Sequence, residues 1–152
     1  MVGVWNTQRK SGSDDGAAVT VAFLDKCDAK WGIVFCPEWS TTPVQEANYE
    51  MEGHKIFVNV PEDHGSPMAF LVHRKFASMV EGVRWKGRAG VLKVRDKLKY
   101  RGIVSFKLDI FGVHGSSESS LLPNDLMNLQ SLIRAKEVGV TPFIVGDWNI
   151  DL

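Results

Sequence analysis

The chain has 152 residues and a mass of 16.9 kDa, the size of one domain or of part of a larger one. Hydrophobic residues make up 44% and charged residues 24%, an ordinary globular balance that argues against wholesale disorder. Eighteen basic residues face eighteen acidic ones, which excludes a protein that binds polyanions through bulk charge.

In chain order, Val2 to Trp5 reads as a short buried strand that ends at Asn6. Ser11 to Gly16 is a polar turn rich in helix N-cap residues, and Ala17 to Lys30 has helix-like apolar spacing at Ala18, Val21, Ala22 and Leu24. Trp31 to Cys36 is a continuous apolar run stopped by Pro37, so it predicts a buried strand whose end carries Glu38. Trp39 to Gly53 is polar and reads as a loop with room for one helical turn. Lys55 to Val60 predicts a strand, Pro61 to Pro67 a turn cluster, and Met68 to Val72 and Gly90 to Arg95 two more strands. Ile103 to Val113 is the longest strand candidate. There Phe106, Leu108 and Ile110 alternate with Lys107 and Asp109, which predicts one wet face. After the Gly115 to Ser120 loop, Leu121 to Lys136 forms an amphipathic helix. Its stripe is Leu122, Leu126, Leu129, Leu132 and Ile133, with Pro123 in the first turn and Gly139 as a terminator. Thr141 to Val145 is the last strand and runs into Gly146-Asp147-Trp148-Asn149. Strands followed by helices mix with runs of consecutive strands, so the expected class is an α/β or α+β sandwich.

Charge is balanced in total but not along the chain. His73 to Lys107 holds eleven Lys or Arg against Glu81 and Asp96, a local +9 that leaves −9 for the rest. Basic residues alternating with apolar ones can form a solvated sheet face. They can equally form a phosphate-contacting rim, for which Arg74, Lys75, Arg84, Lys86 and Arg88 are the candidates, with Trp85 among them as a stacking surface. Cys27 and Cys36 are too few for a disulfide framework or a zinc site and read as small buried residues. No stretch approaches the roughly 20 apolar residues of a membrane helix. The N-terminus shows no secretory signal, which points to the cytoplasm or nucleus.

Four predicted strands end in a residue able to meet a metal or a phosphate: Asn6, Glu38, His114, and Asp147 with Asn149. If the strands share a direction, these side chains converge on one mouth, held by rigid elements below. A carboxylate with an amide oxygen suits Mg²⁺, a hard ion that prefers oxygen. An Asp can orient or deprotonate water while an Asn two residues on donates to a phosphate oxygen. Each feature also has a plain structural reading: Glu38 as an exposed loop acid, His114 as a hydrogen-bonded core histidine, Gly-Asp-Trp-Asn as a turn. His54, His64 and His73 show no metal-ligand spacing and receive no role.

Taken together, Trp5-Asn6, Pro37-Glu38, Val113-His114-Gly115 and Ile144-Val-Gly-Asp-Trp-Asn149 resemble, in that order, the endonuclease/exonuclease/phosphatase superfamily. The likeness is greatest to the endonuclease-like domains of retrotransposons. Gly-Asp-Trp-Asn matches that family's Gly-Asp-Phe-Asn signature with Trp for Phe, whereas Pro37 stands where the family usually has Gln. The resemblance implies a DNase I-like four-layer αββα sandwich. It implies Mg²⁺ or Mn²⁺ held by Glu38 with Asn6. It also implies a scissile phosphate met by His114, a water activated by Asp147, and charge stabilised by Asn149, in a metal-assisted phosphoester hydrolysis.

The family pattern also has a later Asp and a terminal Ser-Asp-His motif, which these 152 residues do not contain. The chain therefore reads as the N-terminal part of such a domain, incomplete at its C-terminus, with weak catalysis and poor solubility expected of it alone. Nucleic acid, DNA above all, is the expected partner, with inositol or lipid phosphates as other anions of the same chemistry. The alternative is a catalytically inactive relative that binds nucleic acid or protein. The sequence does not define an oligomeric state.

Overall fold

The computed structural model describes residues 2–6, 21–26, 32–39, 48–51, 53–59, 67–96, 106–118 and 120–149. In chain order these contain β1 (Val2–Val4), a helical segment at 21–26 (α1), β2 (Ile33–Cys36), β3 (Asn48–Met51), β4 (His54–Asn59) and β5 (Met68–His73). There follow α2 (Arg74–Ala77), β6 (Val80–Lys86), β7 (Ala89–Arg95), β8 (Lys107–His114), α3 (Leu122–Arg134) and β9 (Thr141–Asp147). The strands make two sheets, ordered β1-β2-β5-β4-β3 and β6-β7-β8-β9. β1 runs parallel to β2 and β8 parallel to β9, while the other neighbours are antiparallel.

The layering follows from side-chain alternation. Every residue of β2 is buried, because the strand is covered on both faces. Ile33 and Phe35 point to the second sheet and join Phe57, Met68, Phe70, Leu92, Val94, Ile110 and Val145 in the central core. Val34 and Cys36 point the other way, onto Val21 and Leu24 of α1. On the second sheet, Ala89, Val91, Phe111 and Val113 face outward and are covered by Leu129 and Leu132 of α3. The result is helix, sheet, sheet, helix: the four-layer αββα sandwich. Gly112 of β8 lets the sheets approach, since a Cβ there would stand 2.5 Å from the Phe35 ring. No described helix is long and apolar enough to cross a membrane.

Most predicted strands occur with ends moved by a residue or two. β3 lies where a loop was expected, because Asn48–Met51 is a short edge strand with only Tyr49 and Met51 half-buried. β6 lies where the sequence pattern shows only charge. It is the outer strand of its sheet, exposing Glu81, Arg84 and Lys86. The expected wet face of β8 is corrected at Asp109, which is buried and bonded to Arg95 Nη1 at 2.8 Å. The α3 stripe is corrected too: Leu126 is exposed and Asp125 takes the inward position. The Ser11–Gly16 turn, residues 61–66 of the Pro61–Pro67 cluster, Cys27, Trp31, His64 and the Ile103–Ser105 start of the long strand lie outside the described residues. So do the ends of the predicted helix 17–30.

Candidate active site

The parallel pairs put the C-terminal ends of β1, β2, β8 and β9 at one mouth. Asn6 lies just beyond β1, where Trp5 N still donates to Phe35 O of β2. Glu38 follows β2 by two residues. His114 and Asp147 are the last residues of β8 and β9 and stand opposite each other in register. Asn6 joins the two carboxylates: its Nδ2 donates to Asp147 Oδ2 at 2.8 Å and to Glu38 Oε1 at 3.3 Å. Glu38 Oε1 is also 3.7 Å from His114 Nε2. The structure thus brings Asn6, Glu38, His114 and Asp147 together from sequence positions up to 141 residues apart.

Asn149 closes the floor of the site. Its backbone is left-handed, with φ 46°, a conformation that Asn tolerates better than most residues. Its backbone N–H donates to Asp147 Oδ1 at 3.2 Å and its Nδ2 to Gly115 O at 2.8 Å. Gly115 N in turn donates to Asp147 O at 2.7 Å. A Cβ on Gly115 would lie 2.6 Å from Trp148 O, so this crossing requires glycine. Both oxygens of Asp147 are engaged, and the carboxylate is held in one orientation.

His114 is buried beneath this surface. Burial and the Arg88 cation push its pKa below the ordinary histidine value, against the opposing pull of Glu38, Asp147 and Asp125. Arg88 Nε donates to His114 O at 2.7 Å, and Arg88 Nη2 lies 3.1 Å from His114 Nδ1 and 3.3 Å from Gly115 O. Asp125 of α3 stands 3.8 Å from Arg88 Nε and accepts from Ser116 N at 2.8 Å. None of the sequence motifs includes this support. Its one signal was an acid on a helix at the spacing of Leu122, Leu129 and Leu132.

The basic candidates do not gather into one rim. Arg88 is turned inward to His114. Lys86 reaches Ser131 Oγ of α3 at 2.7 Å, at the end of β6 that adjoins the mouth. Arg84 is exposed further along β6. Arg74 and Lys75 lie in α2, beside Gly32 and Gly53, at the opposite end of the first sheet. Lys93, Arg95 and Lys107 are drawn to Glu137 at 3.6–3.7 Å. Trp85 is half-buried against the central core, with its ring stacked on Phe70 at a centroid distance of 5.3 Å.

Among the described residues, no group of three or more His, Cys, Asp or Glu side chains is arranged to hold a metal ion. The mouth offers two carboxylates and an amide. That set fits Mg²⁺, which takes one or two protein carboxylates and completes its shell with water and substrate phosphate. It does not fit a caged transition metal.

No protein-family model and no curated protein matches the chain. Solved structures do. TDP2 from Caenorhabditis elegans superposes with a TM-score of 0.55 at 15% identity, covering 97% of this chain and 47% of that one. D. rerio TDP2, humanised by 14 mutations, superposes with a TM-score of 0.52 at 12% identity, covering 97% of this chain and 65% of that one. The chain thus spans about half to two-thirds of the length of these neighbours. Its two sheets and flanking helices have the DNase I-like fold of these two structures.

Proposed function

We propose that this chain carries the core of a divalent-metal-dependent phosphoester hydrolase, an endonuclease acting on nucleic acid, DNA in particular. The observation that carries the reading is the bridge from Asn6 to both Asp147 and Glu38, at a mouth where His114 also ends its strand. The neighbouring TDP2 is a tyrosyl-DNA phosphodiesterase, which supports phosphodiester chemistry and a DNA substrate over inositol or lipid phosphates.

Asp147, fixed through both oxygens, orients a water for in-line attack on phosphorus and takes its proton, while the opposite P–O ester bond breaks and the leaving oxygen takes a proton from solvent. His114 donates from Nε2 to a phosphate oxygen. Asn149 spends one amide hydrogen on Gly115 O, and the second stabilises the charge that develops on phosphorus oxygens. Glu38 and the amide oxygen of Asn6 would hold Mg²⁺ or Mn²⁺, whose charge would neutralise the phosphate.

The test is nicking of supercoiled plasmid with Mg²⁺ or with EDTA, using the 152-residue chain and its Asp147→Ala variant. Nicking that needs Mg²⁺ and falls about 10²–10⁴-fold in the variant is the expected result. Equal nicking by the variant would overturn the reading. Salt-sensitive DNA binding with no nicking would replace it with the binding-module alternative.

A further inference from the structure

We infer that Arg88 is a positioning residue that fixes the tautomer of His114, leaving its one ring proton on Nε2, aimed into the mouth. The inference rests on the proposed function for its catalytic consequence only. A guanidinium has five N–H donors and no acceptor, and it is not deprotonated in proteins. Arg88 Nη2 lies 3.1 Å from His114 Nδ1, so this nitrogen must be the acceptor. The other ring nitrogen gives the same answer. Nε2 faces Glu38 Oε1 at 3.7 Å, and a carboxylate only accepts.

The guanidinium cannot easily turn away. Its Nε and Nη2 also donate to the carbonyls of His114 and Gly115, with Asp125 close behind. His114 N closes the ring by donating to Arg88 O at 3.0 Å. The imidazole therefore meets a fixed donor on one side and an acceptor on the other. This arrangement differs from a phosphate contact, the role that a basic residue at this position suggests.

The primary measurement is the long-range ¹⁵N–¹H spectrum of the histidine rings, recorded on the full chain at pH 8 without metal. The expected wild-type pattern has the His114 proton on Nε2 and an Nδ1 resonance shifted by hydrogen bonding. In Arg88→Met the Nδ1 resonance should move to that of a free pyridine-type nitrogen. A proton on Nδ1 in the wild type would overturn the inference, as would an unmoved Nδ1 resonance in a folded variant. Should Arg88→Met fail to fold, the wild-type spectrum alone decides the question: a proton on Nε2 with a hydrogen-bonded Nδ1 upholds the inference, and a proton on Nδ1 overturns it.

Plasmid nicking supplies the second arm. Arg88→Met should lose about 10- to 100-fold, the usual range for a residue that orients a functional side chain. Combined with His114→Ala it should lose no more than His114→Ala alone. Additive losses would mean that Arg88 acts directly on the substrate and would overturn the positioning role. If the wild type does not nick at all, the proposed function fails while the spectrum still decides the tautomer.

Discussion

Cys36 illustrates how position sets chemistry at the scale of one residue. It ends β2 with its side chain packed against α1, fully buried, and burial pushes its thiol well above the ordinary value of 9.0. The unfolded chain can ionise this thiol near pH 9 and the folded chain cannot, so the folded state retains a proton that the unfolded state loses. Stability should therefore fall as pH rises above about 9, on the order of 1 kcal/mol per unit from this group, and Cys36→Ala should flatten that slope in urea melts. A slope unchanged by the substitution would count against it. The catalytic candidates beside Cys36 were legible in the sequence for a simple reason. Asn6, Glu38, His114 and Asp147 are each a polar residue following an apolar run, and a strand that ends there delivers the side chain to a sheet edge. Arg88 and Asp125 were not legible in that way, because their roles depend on carbonyls and backbone amides that the topology brings near.

Pairs of elements are held by contacts that alternation alone does not reveal. β7 and β8 are joined by the buried pair of Arg95 and Asp109, with side chains 7% and 1% exposed. Arg95 Nη1 also donates to the carbonyls of Val94 and Leu108, and Glu81 and Glu137 approach the rest of the guanidinium. Asp109→Ala would leave that cation in a dry place without its closest anion and should cost about 3–5 kcal/mol in urea denaturation. The double substitution Arg95→Met, Asp109→Leu should cost far less, since it removes both charges together. Equal losses in the two variants would show that packing, not charge, dominates there. This pair explains why the amphipathic reading of β8 failed at one position: an acid in a strand reads as solvent-facing unless a partner on the next strand is known. The same dependence on neighbours hid β3 and β6. Both are edge strands that carry charge on one face, and only their pairing with β4 and β7 makes them strands.

For the whole molecule, the sandwich has one side where sheet edges coincide. β1 and β9 end their sheets there and are tied across by Asn6 and Asp147. Among the described residues, this side exposes Val4, Phe143 and Ile144, each more than 40% accessible. β9 also has backbone groups with no described strand beyond it, and an open edge with apolar side chains is a template for pairing. Each of these side chains is already more than half covered, so hiding the remainder would contribute about 1 kcal/mol apiece, and a symmetric pairing of two chains counts each contribution twice, which favours association as concentration rises. The 152-residue chain should therefore sediment faster as its concentration rises. Phe143→Lys with Ile144→Lys should hold it as a monomer, because a charged edge resists pairing. Neither residue contacts Asn6, Glu38 or His114 through any hydrogen bond described above, so Mg²⁺-dependent nicking should survive the double substitution. Concentration-independent sedimentation of the wild-type chain would refute the prediction, and equal association of both chains would move the contact to another face, such as the exposed Met127 and Val138 around α3.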